Sequence, residues 1–239
     1  LTDEGRALAA VCTETLGRLR ETVARLRAPR SRRVLTLSTT PGMASLCLIP
    51  RLSRFMQLQP EVDVRLDVAV ECRDLAADAI DVAIRYGRAE DNPGPKLFDE
   101  EVQPVCSPAL ASALRVPADL AGHHLLHDET ETAAVSLPSW RMWLQAAGID
   151  PAQAGIDPER GLRFSASAMA TQAAIEGQGV LLGRGVIVAG DLAAGRLSRP
   201  FPVSCPVPFG YHIVHPRHAD ARRAVAAFKA WLIEEAARG

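Results

Sequence analysis

The sequence predicts an α/β fold made of two similar sheet-and-helix units with a cleft between them, preceded by a long helix outside both. Three observations predict it. Strand-like and helix-like segments alternate at short spacings twice along the chain. Two long strand-like runs, near Cys106 and Tyr211, fall where the chain would cross between units, and the first stretch carries a narrow apolar seam with no core of its own. At 239 residues and 48% hydrophobic, the chain can bury a full core in one or two domains.

The opening stretch, 1–27, places Leu8, Cys12, Leu16, Leu19, Val23 and Leu26 at spacings of four, four, three, four and three, the seam of a helix that pairs with another helix. Arg and Glu fill most of the rest, so the stripe needs a partner: a second chain, another domain or both. Residues 28–33 then break the helix with Pro29 and a run of charge. In the first unit, 34–38 alternates like a strand, 39–42 turns, and 43–58 carries a helical stripe through Leu46, Ile49, Leu52, Phe55 and Met56. A strand over 62–68, a short helix over 74–79 and a strand over 81–85 follow. The first long run, 97–106, ends at Ser107-Pro108. The second unit has strands over 125–127, 162–164 and 180–182, with helices over 139–147, 166–176 and 186–193. The returning strand covers 211–215, and a last helix over 219–237 turns Val225, Phe228, Trp231 and Leu232 inward.

Charge is nearly balanced at net −1 with a pI near 6.7, which gives no support to nucleic-acid binding by these residues themselves. Five widely spaced cysteines with no C-x-x-C argue against a disulfide framework or a zinc site and for a reducing cytosol. With no secretion signal and no apolar run of membrane-spanning length, a cytoplasmic chain is expected.

Ligands of open α/β sheets sit where strands end and helices begin, because helix starts present unpaired N–H groups. Ser38-Thr39-Thr40-Pro41-Gly42 and Ser165-Ala166-Ser167 are two such places, and both would face the cleft. Each alone is also what an ordinary N-cap looks like; two facing ones point to a polar-ligand cleft. His212, His215 and His218, and His123, His124 and His127, lack ligand spacing and nearby carboxylates, so no metal is expected. The glycines between Gly177 and Gly185 lie between helix and strand, the reverse of a dinucleotide fingerprint, and fit a helix C-cap followed by a buried strand. No nucleophile elbow, phosphate loop or H-E-x-x-H occurs, so neither catalysis nor a cofactor is expected. Cys72 and Cys106 fall at strand ends, where an inert cysteine is the commoner state than a redox sensor.

Read together, Leu1-Thr-Asp-Glu-Gly-Arg-Ala-Leu8, Thr39-Thr-Pro-Gly-Met-Ala-Ser-Leu46 with Ile49-Pro-Arg-Leu-Ser-Arg-Phe55, Ile80-Asp-Val-Ala-Ile-Arg-Tyr-Gly87, Pro104-Val-Cys-Ser-Pro108 and Ala173-Ala-Ile-Glu-Gly-Gln-Gly-Val180 resemble LysR-type transcriptional regulators, in particular the subgroup like the glycine-cleavage activator. The resemblance covers essentially the whole chain. It implies two Rossmann-like subdomains of the periplasmic-binding-protein type 2 kind, joined by crossing strands and preceded by a linker helix. The expected division is a wing remnant and dimerisation helix over 1–29 and an effector-binding domain over 33–239. Within the latter, subdomain I takes about 33–106 and 216–239, and subdomain II about 107–215.

The resemblance further implies a small-molecule effector between the subdomains, lined by Thr39, Thr40, Arg85, Tyr86, Ser107, Ser165, Ser167 and Tyr211. Hydroxyls, helix starts and Arg85 suit a carboxylate, although Arg85 equally suits a structural pair with Asp81 or Glu71. It implies a dimer or tetramer with itself, and promoter DNA bound through a winged helix-turn-helix expected before Leu1, not through this chain. A solute-binding protein of similar fold, which would need an export signal, and a cleft enzyme, which would need a catalytic grouping, are the rival expectations.

Overall fold

A computed structural model describes Thr2, Gly5, Leu8, Val11, Cys12, Thr15 to Gly17, residues 33–70, 72–130 and 138–216, Ala219 and residues 222–238. The chain divides into two units, Leu1–Arg33 and Val34–Gly239.

In the first unit, Gly5, Leu8, Val11, Cys12 and Thr15 to Gly17 are helical. Thr2 Oγ1 accepts the Gly5 N–H at 3.2 Å. Leu8, Cys12 and Leu16 are exposed on this helix. The rest of the expected seam, Leu19, Val23 and Leu26, lies outside the described residues.

The second unit is built on an eight-stranded sheet whose strands are β1 (Arg33–Thr39), β2 (Val62–Val68), β3 (Val82–Gly87), β4 (Lys96–Val105), β5 (Leu125–Asp128), β6 (Gly161–Phe164), β7 (Val180–Arg184) and β8 (Cys205–Val214), in the order β2-β1-β3-β8-β4-β7-β5-β6. β1 pairs parallel with β3, and β5 pairs parallel with both β6 and β7. Between these blocks, β8 and β4 run antiparallel to each other and to their flanking strands β3 and β7. These are the two long crossing runs, ten residues each. Their pairing slips between Lys96 and Phe98 and again between Asp99 and Glu100; irregularities of this kind raise local twist, which lets one sheet serve two lobes.

Among the described residues of this unit, seven α-helices accompany the strands: α1 (Ile49–Leu58), α2 (Pro108–Ala111), α3 (Trp140–Ala146), α4 (Pro151–Ala154), α5 (Ser167–Ile175), α6 (Gly185–Ala193) and α7 (Arg223–Arg238). The core of one lobe joins Leu35 and Leu37 of β1, Val82 and Ile84 of β3 and the inward face of α7. Its centre is an aromatic trio in which the Phe55 ring meets Phe228 edge-on at 5.2 Å and Trp231 at 5.3 Å. The other lobe has a core on each face of its sheet. One centres on Trp140, Trp143 and Phe201, the other on Val105, Leu126, Leu181 and the small residues Ala170 and Ala174 of α5.

Three local expectations are corrected. The helix expected over 43–58 opens as a π-helical run, Met43–Leu48, before α1. Its wider i→i+5 turn rotates the buried face, so Met43, Cys47, Leu48 and Phe55 are buried while Ile49 and Met56 of the expected stripe are half exposed. The helix expected over 74–79 is one turn only. Asp74 Oδ1 accepts the Ala76 and Ala77 N–H groups, and Ala79, at φ 53°, reverses the chain so that the Ile80 N–H closes on the Leu75 carbonyl. The last helix begins at Arg223 rather than Ala219. No helix among the described residues is long and apolar enough to cross a membrane.

Candidate functional site

The C-terminal ends of β5 and β7 and the start of α5 meet around one buried cation, Arg184, the last residue of β7. Its Nη2 donates to Ser167 Oγ at 2.6 Å and lies 3.5 Å from Asp128 Oδ2, while its guanidinium sits 5.1 Å from the centre of the Tyr86 ring. Thr130 Oγ1 stands 3.1 Å from Ser167 Oγ and also donates to Asp128. Ser167 is the first residue of α5, yet its hydroxyl points to Arg184, and α5 has no side-chain cap. Ser165, the other expected cap, is exposed.

The opposite wall comes from the first lobe. Thr39 Oγ1, at the end of β1, donates to the Ile84 carbonyl at 3.0 Å and ties two parallel strands together. Thr40, also buried, leaves its hydroxyl without a partner among the described residues. Two residues on, Gly42 closes the gap between lobes: a Cβ there would lie 3.0 Å from both Cβ and Oγ of Ser167. A side chain here would press on Ser167, which would have to give by a few tenths of an ångström. Tyr86 of β3 and Tyr211 of β8 are register partners with rings 5.0 Å apart, and neither hydroxyl has a partner among the described residues.

Thr40 Oγ1, Tyr86 OH, Tyr211 OH and Arg184 Nε are therefore four buried and unpartnered polar atoms. Each such atom costs about 1–3 kcal/mol if nothing bonds to it, so a concentration of them marks a place built to contact something polar. All four carry a hydrogen to donate.

The charge state follows from burial. Burial pushes the Tyr86 hydroxyl up to about 12, with Arg184 pulling against it, and raises Tyr211 further, so both phenols remain donors at neutral pH. Burial also works against the Arg184 charge, but the Asp128 carboxylate beside it holds it protonated and above its ordinary range. Glu100, on β4, is pushed up to about 7 by burial; Arg184 and the N–H groups of Val186, Glu101 and Gly185 oppose that rise. The arrangement presents several hydrogen-bond donors, which suits an acceptor. Ser167 Oγ is held by a cation and a second hydroxyl.

Thr39, Thr40, Tyr86, Ser167 and Tyr211 are thus gathered into this buried group. Arg85 is not, which corrects its expected place. It alternates to the other face of β3 from Tyr86, and its guanidinium donates to the Arg73 carbonyl. Asp81, one of its expected partners, instead bonds Arg222 and the Thr36 N–H, and Glu71 lies outside the described residues. Ser107 serves as a helix cap, accepting the Leu110 N–H at 3.4 Å.

Sequence reasoning missed Arg184, Asp128 and Thr130. The available signal was an arginine set between Gly183 and Gly185 at the end of an otherwise apolar strand, in the glycine-rich stretch taken for a cap and strand alone. Among the described residues no cluster of three or more His, Cys, Asp or Glu could hold a metal; His212 is buried within β8, and His218 lies outside the described residues. Burial raises the Cys106 thiol to about 11 and also raises Cys47, which leaves little thiolate at either.

The model of the LysR substrate binding domain matches residues 28–237. The glycine cleavage system transcriptional activator of Escherichia coli (strain K12) is 37% identical over 244 residues, spanning 99% of this chain and 76% of the relative. Among solved structures, the effector domain of the transcriptional regulator AmpR of Pseudomonas aeruginosa superposes with a TM-score of 0.69 at 31% identity, covering 86% of this chain and 96% of that one. The AmpR effector binding domain from Citrobacter freundii gives the same score at 26% identity, covering 87% and 100%.

Proposed function

The chain belongs to the LysR-type transcriptional regulators and carries their effector-binding domain; on that premise we propose that it senses a small carboxylate-bearing metabolite in the cleft around Arg184. The observation that carries this reading is the set of four buried donors, Thr40 Oγ1, Tyr86 OH, Tyr211 OH and Arg184 Nε, that have no acceptor among the described residues. Two helix starts without side-chain caps, at Pro41 just after Thr40 and at the head of α5, add their N–H dipoles at the same place. A carboxylate supplies four lone-pair sites and so answers several of these donors at once.

In this reading the effector bridges subdomain I (about 33–106 and 216–239) and subdomain II (about 107–215), and its differential affinity for the open and closed arrangements is the signal. The opening helix pairs with its copy in a dimer or tetramer, and a winged helix-turn-helix ahead of Leu1 holds the promoter DNA in the cytoplasm. The chain acts by binding and not by turnover, as its relatives are regulators.

A thermal-shift screen of small carboxylates on the wild type, Thr40→Val and Ser167→Ala tests the reading. At least one carboxylate raises the unfolding midpoint of the wild type, and each substitution weakens its binding about tenfold, the worth of one hydrogen bond to a charged group. Shifts that are identical in all three proteins refute the pocket. Chemical conversion of the bound carboxylate replaces the sensor reading with an enzyme.

A further inference from the structure

A second concavity, a groove of about 560 Å³, lies where the π-helical run and α1 face β4 and α6. None of the four donor-bearing residues of the cleft lines it, and Glu100, which does, also neighbours Arg184. Its walls are apolar: Phe98 of β4, Val186, Ala189 and Leu192 of α6, and Pro206 of β8. Two polar side chains from β4, each only 3% exposed, also line it, Glu100 and Gln103.

Glu100 caps α6 with one oxygen, Oε1 accepting the N–H groups of Val186 at 3.3 Å and Glu101 at 3.2 Å. Its Oε2 has no partner among the described residues, and neither does Gln103 Oε1. Both unpartnered atoms are acceptors, the opposite of the donors in the cleft. The remaining acids of the groove are already engaged, Asp99 by Lys96 and Glu101 by the Ser204 hydroxyl at 2.7 Å. Arg51, the basic lining residue, donates to the Cys47 carbonyl at 2.8 Å. Against it stand the carboxyl groups of Asp99, Glu100 and Glu101, so the lining is acidic in balance.

We propose that this groove is a second ligand site, taking a small apolar amine whose ammonium donates to Glu100 Oε2 while its hydrocarbon body covers Phe98, Val186 and Leu192. The ammonium supplies the donor that this orphaned oxygen lacks, and its charge matches the acidic lining. The apolar body gains from removing those walls from water.

Differential scanning fluorimetry of the whole chain, run above pH 7 with phenethylamine and with phenylpropionate, tests the site. Phenethylamine is expected to raise the unfolding midpoint saturably and phenylpropionate, of the same shape but opposite charge, is not. Glu100→Gln removes the charge and weakens amine binding about ten- to hundredfold. Because that carboxylate also caps α6, Ala189→Phe provides an independent variant that fills the groove from the helix and abolishes amine binding. Thr40→Val, in the cleft, leaves it unchanged. The proposal is overturned if phenethylamine gives no saturable shift, if the acid binds as well, if binding persists in Ala189→Phe, or if it is lost in Thr40→Val.

Discussion

Replacing Arg184 by Met deletes the charge that organises the cleft while keeping much of its length and apolar bulk. In the wild type the guanidinium bonds Ser167 at 2.6 Å, faces Asp128 at 3.5 Å and covers the Tyr86 ring. The side chains of Arg184 and Asp128 are only 5% and 13% exposed, so solvent does little to replace what is lost. Removing one member of a buried ion pair costs about 3–5 kcal/mol, mostly through the uncompensated charge left behind. In a unit of this size that is a fall of roughly 6–20 °C in midpoint.

Urea unfolding followed by tryptophan fluorescence reads the loss directly, since Trp140 and Trp143 lie in the core of the lobe that carries Arg184. Adding Asp128→Asn to Arg184→Met removes the stranded charge and recovers part of the stability, so the two substitutions are strongly non-additive. A cost below about 1 kcal/mol for Arg184→Met, or additive single effects, would refute the view that this pair holds the cleft together.

Two further outcomes follow from the same structure. Glu100 has a folded pKa of about 7 against an ordinary 4.5, so folding favours its protonated form. That contribution is fully present below pH 4.5 and lost as pH rises through about 7, on the order of 3 kcal/mol in all. The stability difference between wild type and Glu100→Gln, measured by urea unfolding across this range, shifts by that amount in favour of the variant; a pH-independent difference would contradict it. In the opening helix, Leu8→Ser with Leu16→Ser is expected to weaken self-association at least about hundredfold by sedimentation equilibrium, from the apolar burial lost on each helix, while the main unfolding midpoint stays put. An unchanged oligomer would remove the seam from the interface.

Much of this molecule was legible in the chain because its signals are local. The alternation of 62–68, the long runs ending at Cys106 and passing Tyr211, and the spacing of Val225, Phe228, Trp231 and Leu232 each express one element's own periodicity. The hydroxyls at Thr39, Thr40 and Ser167 were visible for the same reason, since they stand where a strand hands over to a helix. Local signals also misled where two forms compete. Residues 74–79 have helical composition, but the Asp74 carboxylate and the left-handed Ala79 close the chain after one turn. The stripe from Leu46 to Met56 assumed an α-helical pitch that the π-helical run does not keep.

The sequence by itself determined the family, the alternation of strands and helices and the hydroxyl-bearing turns, because each is written in neighbouring residues. Only the tertiary structure decided which cation serves the cleft. Arg85 ends the strand expected over 81–85 and Arg184 ends β7, so either could have been aimed at the cleft. The pleat of β3 turns Arg85 away toward the Arg73 carbonyl, while the C-terminal end of β7 delivers Arg184 between Asp128, Ser167 and Tyr86. Those three partners lie far apart in the chain, and sheet pairing alone brings them within reach of one guanidinium.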